Sequence, residues 1–379
     1  MKILVFGLGP ILGGVEKQFY NNYYTLKNNG IKCDFVTPYN HMAYEKEFED
    51  SGSKVYKVSN LKRRPARYAH EIRTILQKGG YDGVYVNMLS AANIVPLKLA
   101  KQHGVPIVIA HAHNDHVPAG LLRKVLHSRN VDSIPRYANA YFACSKAAGH
   151  WLFPNIDQEE VVIVPNAIPA DAFMYDEDIH RKTRERYGIT PDTFLLGHVG
   201  RFQEQKNHEF IARLFKRYHD VNAQSKLMLV GEGELREKIR AQLCADGLQD
   251  DVIFVDPTNV IEQYYMAFDC FVFPSLFEGL SVAGLEAQAA GLPVLASDAL
   301  TKELNVTGAV EYLPLSDMGI WVDALDKSHG HCKDSERVTE RRVLQGRSFD
   351  KTKYSLSQSN LYLVDTISEL AARNGIREC

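Results

Sequence analysis

Residues 270–297 leave little freedom in how this chain can fold. Cys270-Phe-Val-Phe273 is a short apolar run of the buried-strand kind, stopped by Pro274. Ser281 is placed to cap a helix whose Ala283, Ala287 and Ala290 form a flat face able to lie close to a sheet. Gly291 and Pro293 end that helix, and Val294 to Ser297 is the next strand.

The same alternation runs through most of the chain. Strands are predicted at Lys2–Phe6, Val55–Val58, Gly83–Asn87, Pro106–Ala110, Ala140–Ala143 and Val161–Val164. Further strands are predicted at Phe194–Val199, Lys226–Val230 and Val252–Val255, with helical stretches between them. Such alternation means parallel sheets covered on both faces, with ligands gathering at the carboxyl ends of the strands. At 379 residues, two domains of ordinary size are expected.

After the first strand comes Gly7-Leu-Gly-Pro-Ile-Leu-Gly-Gly14, then a helical stretch from Val15 to about Lys27. Strand, glycine loop and helix form a phosphate-cradling arrangement. It is not the dinucleotide fingerprint, because Leu12 replaces the third glycine and Asp34 starts the second strand rather than ending it. No nicotinamide is expected, and no other cofactor.

The candidate chemistry lies in the second half. Glu278 and Glu286 flank a loop and helix start whose backbone N–H groups bind anions. Arg201, beside Gly200 at a strand end, and Lys206 are two cations able to neutralise a diphosphate without metal. Carboxylates beside an anion site fit a nucleotide sugar, whose diphosphate wants N–H groups and cations and whose hydroxyls want acceptors. The plainer reading is an ordinary strand–helix–strand unit with two solvated glutamates.

These residues carry a resemblance. The stretch from Phe271 to Ser297 resembles the E-x7-E signature of the retaining GT-B glycosyltransferases of family four, a group that builds bacterial polysaccharides and glycolipids. Gly13-Gly-Val-Glu16, Pro165-Asn-Ala-Ile168, Gly197-His-Val-Gly-Arg-Phe-Gln-Glu-Gln-Lys-Asn207 and Leu229-Val-Gly-Glu-Gly233 are similar to other segments of that family, in its order. The resemblance implies two Rossmann-like domains with parallel sheets facing a central cleft. It implies an acceptor-side domain over 1–168, a nucleotide-sugar domain over 169–355, and a final helix, 356–379, returning to the first domain.

By the same resemblance Arg201, Lys206, Glu278 and His113 are catalytic, with His111 as the fallback for His113. Gly13, Gly14, Gly200, Gly231, Gly233, Gly279, Leu280, Ser281, Val282 and Glu286 surround the donor. The implied reaction transfers a sugar from a nucleotide diphosphate sugar, UDP-linked in the first instance, to a glycan or polyprenyl-diphosphate-linked acceptor in capsular or exopolysaccharide synthesis. The donor sugar and acceptor are not legible.

No metal is expected. His111-Ala-His-Asn-Asp-His116 invites a metal reading, but no second His or Asp cluster at ligand spacing completes it. Asp176-Glu-Asp178 is formally a metal-dependent D-x-D motif, yet it sits in a polar connection and reads as chance or as helix capping. Ser328-His-Gly-His-Cys332 reads as a surface loop. Six scattered cysteines and no apolar run of 18 residues point to a cytoplasmic home.

Charge is uneven: 20 Lys and Arg against 13 Asp and Glu in residues 1–170, and 24 against 33 beyond. The basic half includes Arg123-Lys-Val-Leu-His-Ser-Arg129, with Leu121, Leu122, Val125 and Leu126 on an apolar side. It offers a face for an anionic acceptor or the inner face of an anionic membrane, and a solvated surface reads equally well. Nucleic acid is not expected, since no aromatic–basic interleaving occurs. Rival readings are a nucleotide-sugar epimerase of the same fold, a non-catalytic subunit needing a partner, and a membrane-binding protein without chemistry.

Overall fold

The computed structural model describes residues 1–11, 14–114, 120–331 and 335–376. The chain divides into two compact units. One comprises Met1–Ala167 with Leu356–Cys379, and the other comprises Ile168–Ser355. The first body therefore ends one residue short of the boundary read from sequence. Ile168 goes with the second unit, where its N–H donates to the Tyr354 carbonyl at 3.0 Å.

The first unit holds a parallel seven-stranded sheet. Its strands are β1 (Lys2–Phe6), β2 (Lys32–Thr37), β3 (Val55–Lys57), β4 (Gly83–Met88), β5 (Ile107–Ala112), β6 (Ala140–Ala143) and β7 (Val161–Ile163). Their order is β3-β2-β1-β4-β5-β6-β7. Near-continuous apolar runs such as Gly83–Met88 form these strands because both sheet faces are covered by helices. Helix Leu356–Arg373 packs here, burying Leu363, Val364 and Ile367 with Phe19 and Tyr23. Each such side chain contributes roughly 1.5–3 kcal/mol. Asn360 Nδ2 adds a bond to Thr25 Oγ1 at 3.0 Å.

The second unit holds six parallel strands: β8 (Phe194–Val199), β9 (Ser225–Val230), β10 (Val252–Val255), β11 (Cys270–Phe273), β12 (Val294–Ser297) and β13 (Val310–Leu313). Their order is β10-β9-β8-β11-β12-β13. In each sheet the order reverses beside the unit's first strand, between β1 and β4 and between β8 and β11. That reversal opens a crevice at the carboxyl ends of the two strands, where open parallel sheets bind ligands.

Two local expectations are revised, and the capping one is met. The strand expected at Pro106–Ala110 runs to Ala112, because Ala112 is registered with both Met88 of β4 and Ala143 of β6. The tract from Ser328 is not a loop as far as His331: helix Met318–His331 carries it, the His329 ring stacks on Phe194 at 4.7 Å, and Cys332 lies outside the described residues. Asp176 caps helix Glu177–Arg186, its Oδ1 accepting from the Ile179 N–H at 2.9 Å. No helix of the described residues is long and apolar enough to cross a membrane.

Candidate active site

At the β8/β11 reversal two loops emerge side by side. Gly200 and Arg201 follow β8, then a single 3-10 turn, Glu204–Lys206, precedes helix His208–His219. The loop after β11 carries Glu278, Gly279 and Leu280 into helix Val282–Ala289. Lys206 Nζ lies 2.6 Å from Glu278 Oε1, with the two side chains only 16% and 11% exposed. The ammonium also sits 5.1 Å from the centroid of the Phe273 ring. Arg201 is exposed and makes no ion pair with the described residues.

The β9 loop closes on the β8 loop through two glycines. Gly231 has φ +147°, and a Cβ there would meet the Gly200 carbonyl oxygen at 2.2 Å. Gly233 has φ +146° and presses on the backbone of Phe202 in the same way. Gly200 is tight as well, since a Cβ would lie 3.0 Å from His198 Nε2 and 3.3 Å from the Lys206 stem. Gly279 differs: it is exposed, and a Cβ on it would meet nothing within 4 Å.

Ser281 holds the N-cap position, yet its side chain makes no capping bond. Leu280 packs against the core, and Val282, in the first turn, is exposed. Glu286 is half-buried and hydrogen-bonds with Tyr265. Burial pushes the Tyr265 hydroxyl well above its usual range, with the Glu286 charge adding to the shift, so it stays a donor.

In the first unit the glycine loop follows β1. Gly13 lies outside the described residues, and Gly14 opens helix Gly14–Asn28, one residue earlier than expected. Glu16 Oε1 accepts from the Gly9 N–H at 2.8 Å, tying the loop to this helix. His111 is a residue of β5 rather than of the loop beyond it. It is 1% exposed and bonds through Nδ1 to the Tyr85 hydroxyl at 2.6 Å, so it belongs to the core.

His113 is half-buried, just past the strand. Asn87 Nδ2 donates to the Phe6 carbonyl, which places Asn87 Oδ1 toward His113 Nε2 at 2.8 Å. Nε2 therefore carries the proton and spends it on Asn87, leaving Nδ1 as an acceptor. Among the described residues no group of three or more His, Cys, Asp or Glu side chains gathers as a metal site. Asp115 and His116 lie outside those residues. Cavities of about 580 and 560 Å³ occur elsewhere, one beside Arg337 and Arg341 and one beside Tyr141 and Tyr362.

Two histidines near Lys206 escaped the sequence reading. His198 in β8 and His208 at the head of helix His208–His219 are fully buried, 4.8 Å apart between ring centroids. Burial holds His208 down to about 4, with the Lys206 charge adding to it, and holds His198 well below the usual range. Burial likewise holds His113 down to about 3, and His111 is lowered too. The one sequence signal was a histidine in the otherwise apolar run Phe194–Val199.

All four rings are neutral in the folded chain and take up protons on unfolding below about pH 6.5. Their contribution is full above about pH 6.5 and is lost as pH falls below it, toward about 4 for His208 and about 3 for His113. The urea midpoint at pH 5 is expected to lie clearly below that at pH 7.5. An equal or higher midpoint at pH 5 would contradict this assignment.

Two family models match the chain, Glycosyltransferase Family 4 over residues 12–172 and Glycosyl transferases group 1 over residues 193–327. EpsF of Bacillus subtilis (strain 168) is 30% identical over 327 residues, covering 83% of this chain and 84% of EpsF. Its name calls it a glycosyltransferase and gives no donor or acceptor. The UDP-Gal:alpha-D-GlcNAc-diphosphoundecaprenol alpha-1,3-galactosyltransferase of Escherichia coli is 23% identical over 365 residues, 91% of this chain and 89% of that one. Among solved structures, Anabaena HepE in complex with UDP superposes with a TM-score of 0.77 at 17% identity, covering 97% of this chain and all of that one.

With two Rossmann-like units, the architecture is GT-B, and the family models together with EpsF make the class a sugar-transferring enzyme. The chain belongs to the family-four glycosyltransferases of group 1.

Proposed function

We propose that this glycosyltransferase is retaining and metal-independent, and that it moves a sugar from a UDP-sugar to a lipid-linked glycan acceptor in polysaccharide synthesis. The observation that carries the reading is the meeting of Lys206 and Glu278 at 2.6 Å at the β8/β11 reversal, with Arg201 on the same loop. The lipid-diphosphate acceptor and UDP-linked donor in the name of the Escherichia coli relative support the substrate class.

Arg201, Lys206 and the N–H groups at the start of helix Val282–Ala289 stabilise charge building on the departing diphosphate. Donors aimed where charge develops act on rate and not only on binding. Glu278 accepts from sugar hydroxyls. Glu286, held by Tyr265, accepts from ribose hydroxyls. Gly200, Gly231 and Gly233 let loop backbone approach the nucleotide. The acceptor hydroxyl attacks on the face the diphosphate leaves, and a phosphate oxygen takes its proton. In the first unit His113 offers Nδ1 to a sugar hydroxyl, while Gly13 and Gly14 allow close backbone approach.

A lipid-linked acceptor places the enzyme at the inner face of a membrane. Helix Leu121–Asn130 supports this, with Leu121 80%, Leu122 63% and Val125 56% exposed beside exposed Lys124 and Arg129. One assay tests these features together: transfer from UDP-sugars to a polyprenyl-diphosphate-linked sugar in anionic vesicles with excess EDTA. Activity is expected to persist, to give the donor's own anomer in the product, and to fall as salt detaches the protein from the vesicles. Loss restored by magnesium would refute metal independence. An inverted anomer would refute retention, and indifference to salt would refute the membrane face.

A further inference from the structure

β8 and β11 part company where the candidate site begins. Their last registered pair is Phe271 with Gly197. Bonds between the two segments nevertheless continue beyond it. His198 Nδ1 meets the Val272 carbonyl at 2.8 Å. Asn207 Nδ2 donates to the Pro274 carbonyl at 3.1 Å. The Leu276 N–H donates to the Gln205 carbonyl at 2.9 Å, and Gln205 Nε2 donates to the Phe277 carbonyl at 2.9 Å. Lys206 and Glu278 come next. Residues 272, 274, 276, 277 and 278 are thus fastened in turn to residues 198 and 205–207.

Two details show that this seam is built rather than incidental. A carbonyl only accepts, so His198 carries a proton on Nδ1, and burial keeps the ring neutral, with Nε2 buried and unpartnered beside Gly200. A charged His198 would set a second cation against Lys206. Asn207 stands in the left-handed region, φ 56° and ψ 45°, where glycine fits at less cost. The amide's bond to Pro274 accounts for asparagine there. Loops at a strand reversal are otherwise free to move apart.

We propose that Asn207, with His198 and Gln205, is a positioning residue. The seam replaces the missing strand ladder and holds Lys206 and Glu278 at the spacing a donor needs. What that pair holds rests on the function proposed above, while the seam itself does not.

The test is a double-mutant cycle on the full chain, comparing wild type, Lys206→Ala, Asn207→Gly and the double variant, titrated with UDP. Asn207→Gly keeps the left-handed backbone and deletes only the amide. It is expected to weaken UDP binding roughly tenfold in the wild-type background and less than twofold when Lys206 is absent. Gln205→Ala is expected to behave the same way with a smaller loss. Equal losses in both backgrounds, or no loss in either, would overturn the proposal. If wild type binds no UDP, the functional reading fails, and the seam is judged by urea denaturation of the same four proteins. Coupled changes then uphold it and additive ones overturn it.

Discussion

Lys206→Ala is expected to lower transfer about 10²–10³-fold, the scale for removing one donor aimed at developing charge, or about 2.7–4 kcal/mol of barrier. The loss should fall mainly on kcat, since the ammonium gains most as the diphosphate leaves. It should exceed what an exposed lysine yields, because the side chain is only 16% exposed and faces Glu278 at 2.6 Å. The substitution also strands the Glu278 carboxylate, so the thermal midpoint has to be followed alongside. Turnover within a few fold of wild type, in a folded protein, would remove Lys206 from the site.

Arg342→Met is expected to destabilise the second unit by about 3–5 kcal/mol, with each stranded carbonyl costing about 1–3 kcal/mol and water recovering part. Arg342 is 2% exposed and donates to four main-chain carbonyls: Tyr265, Met266, Phe268 and Ala290. Tyr265 and Met266 lie in the last turn of helix Ile261–Ala267, and Ala290 caps helix Val282–Ala289. One guanidinium therefore satisfies the carboxyl ends of two helices and sits at the negative end of both dipoles. The second helix bears Glu286, so its anchoring sets that carboxylate too. The urea midpoint reads the effect, and a change below about 1 kcal/mol would contradict this role.

How much of this was legible in the sequence depended on range. Strand runs such as Phe194–Val199 and Cys270–Phe273 announced themselves because a strand covered on both faces must be apolar throughout. The β5 end was misjudged because two neighbouring strands, not local residues, extend it through His111 to Ala112. Helix Ser335–Asp350 is so polar that nothing in the sequence marks Arg342, and only the packed fold puts that cation inside. Glu278, Lys206 and Arg201 could be named from spacing and resemblance. His198 and Asn207 could not, because their partners, Val272 and Pro274, stand 74 and 67 residues away. Gly279 was named from motif position alone, and the open space where its Cβ would lie means that packing in the folded chain does not require glycine there.

The most direct measurement is a crystal structure of the protein with UDP. The diphosphate is expected within hydrogen-bond reach of the Arg201 guanidinium and Lys206 Nζ, with ribose hydroxyls on Glu286. A nucleotide bound away from the β8 and β11 ends, or a diphosphate that touches neither cation, would contradict the account.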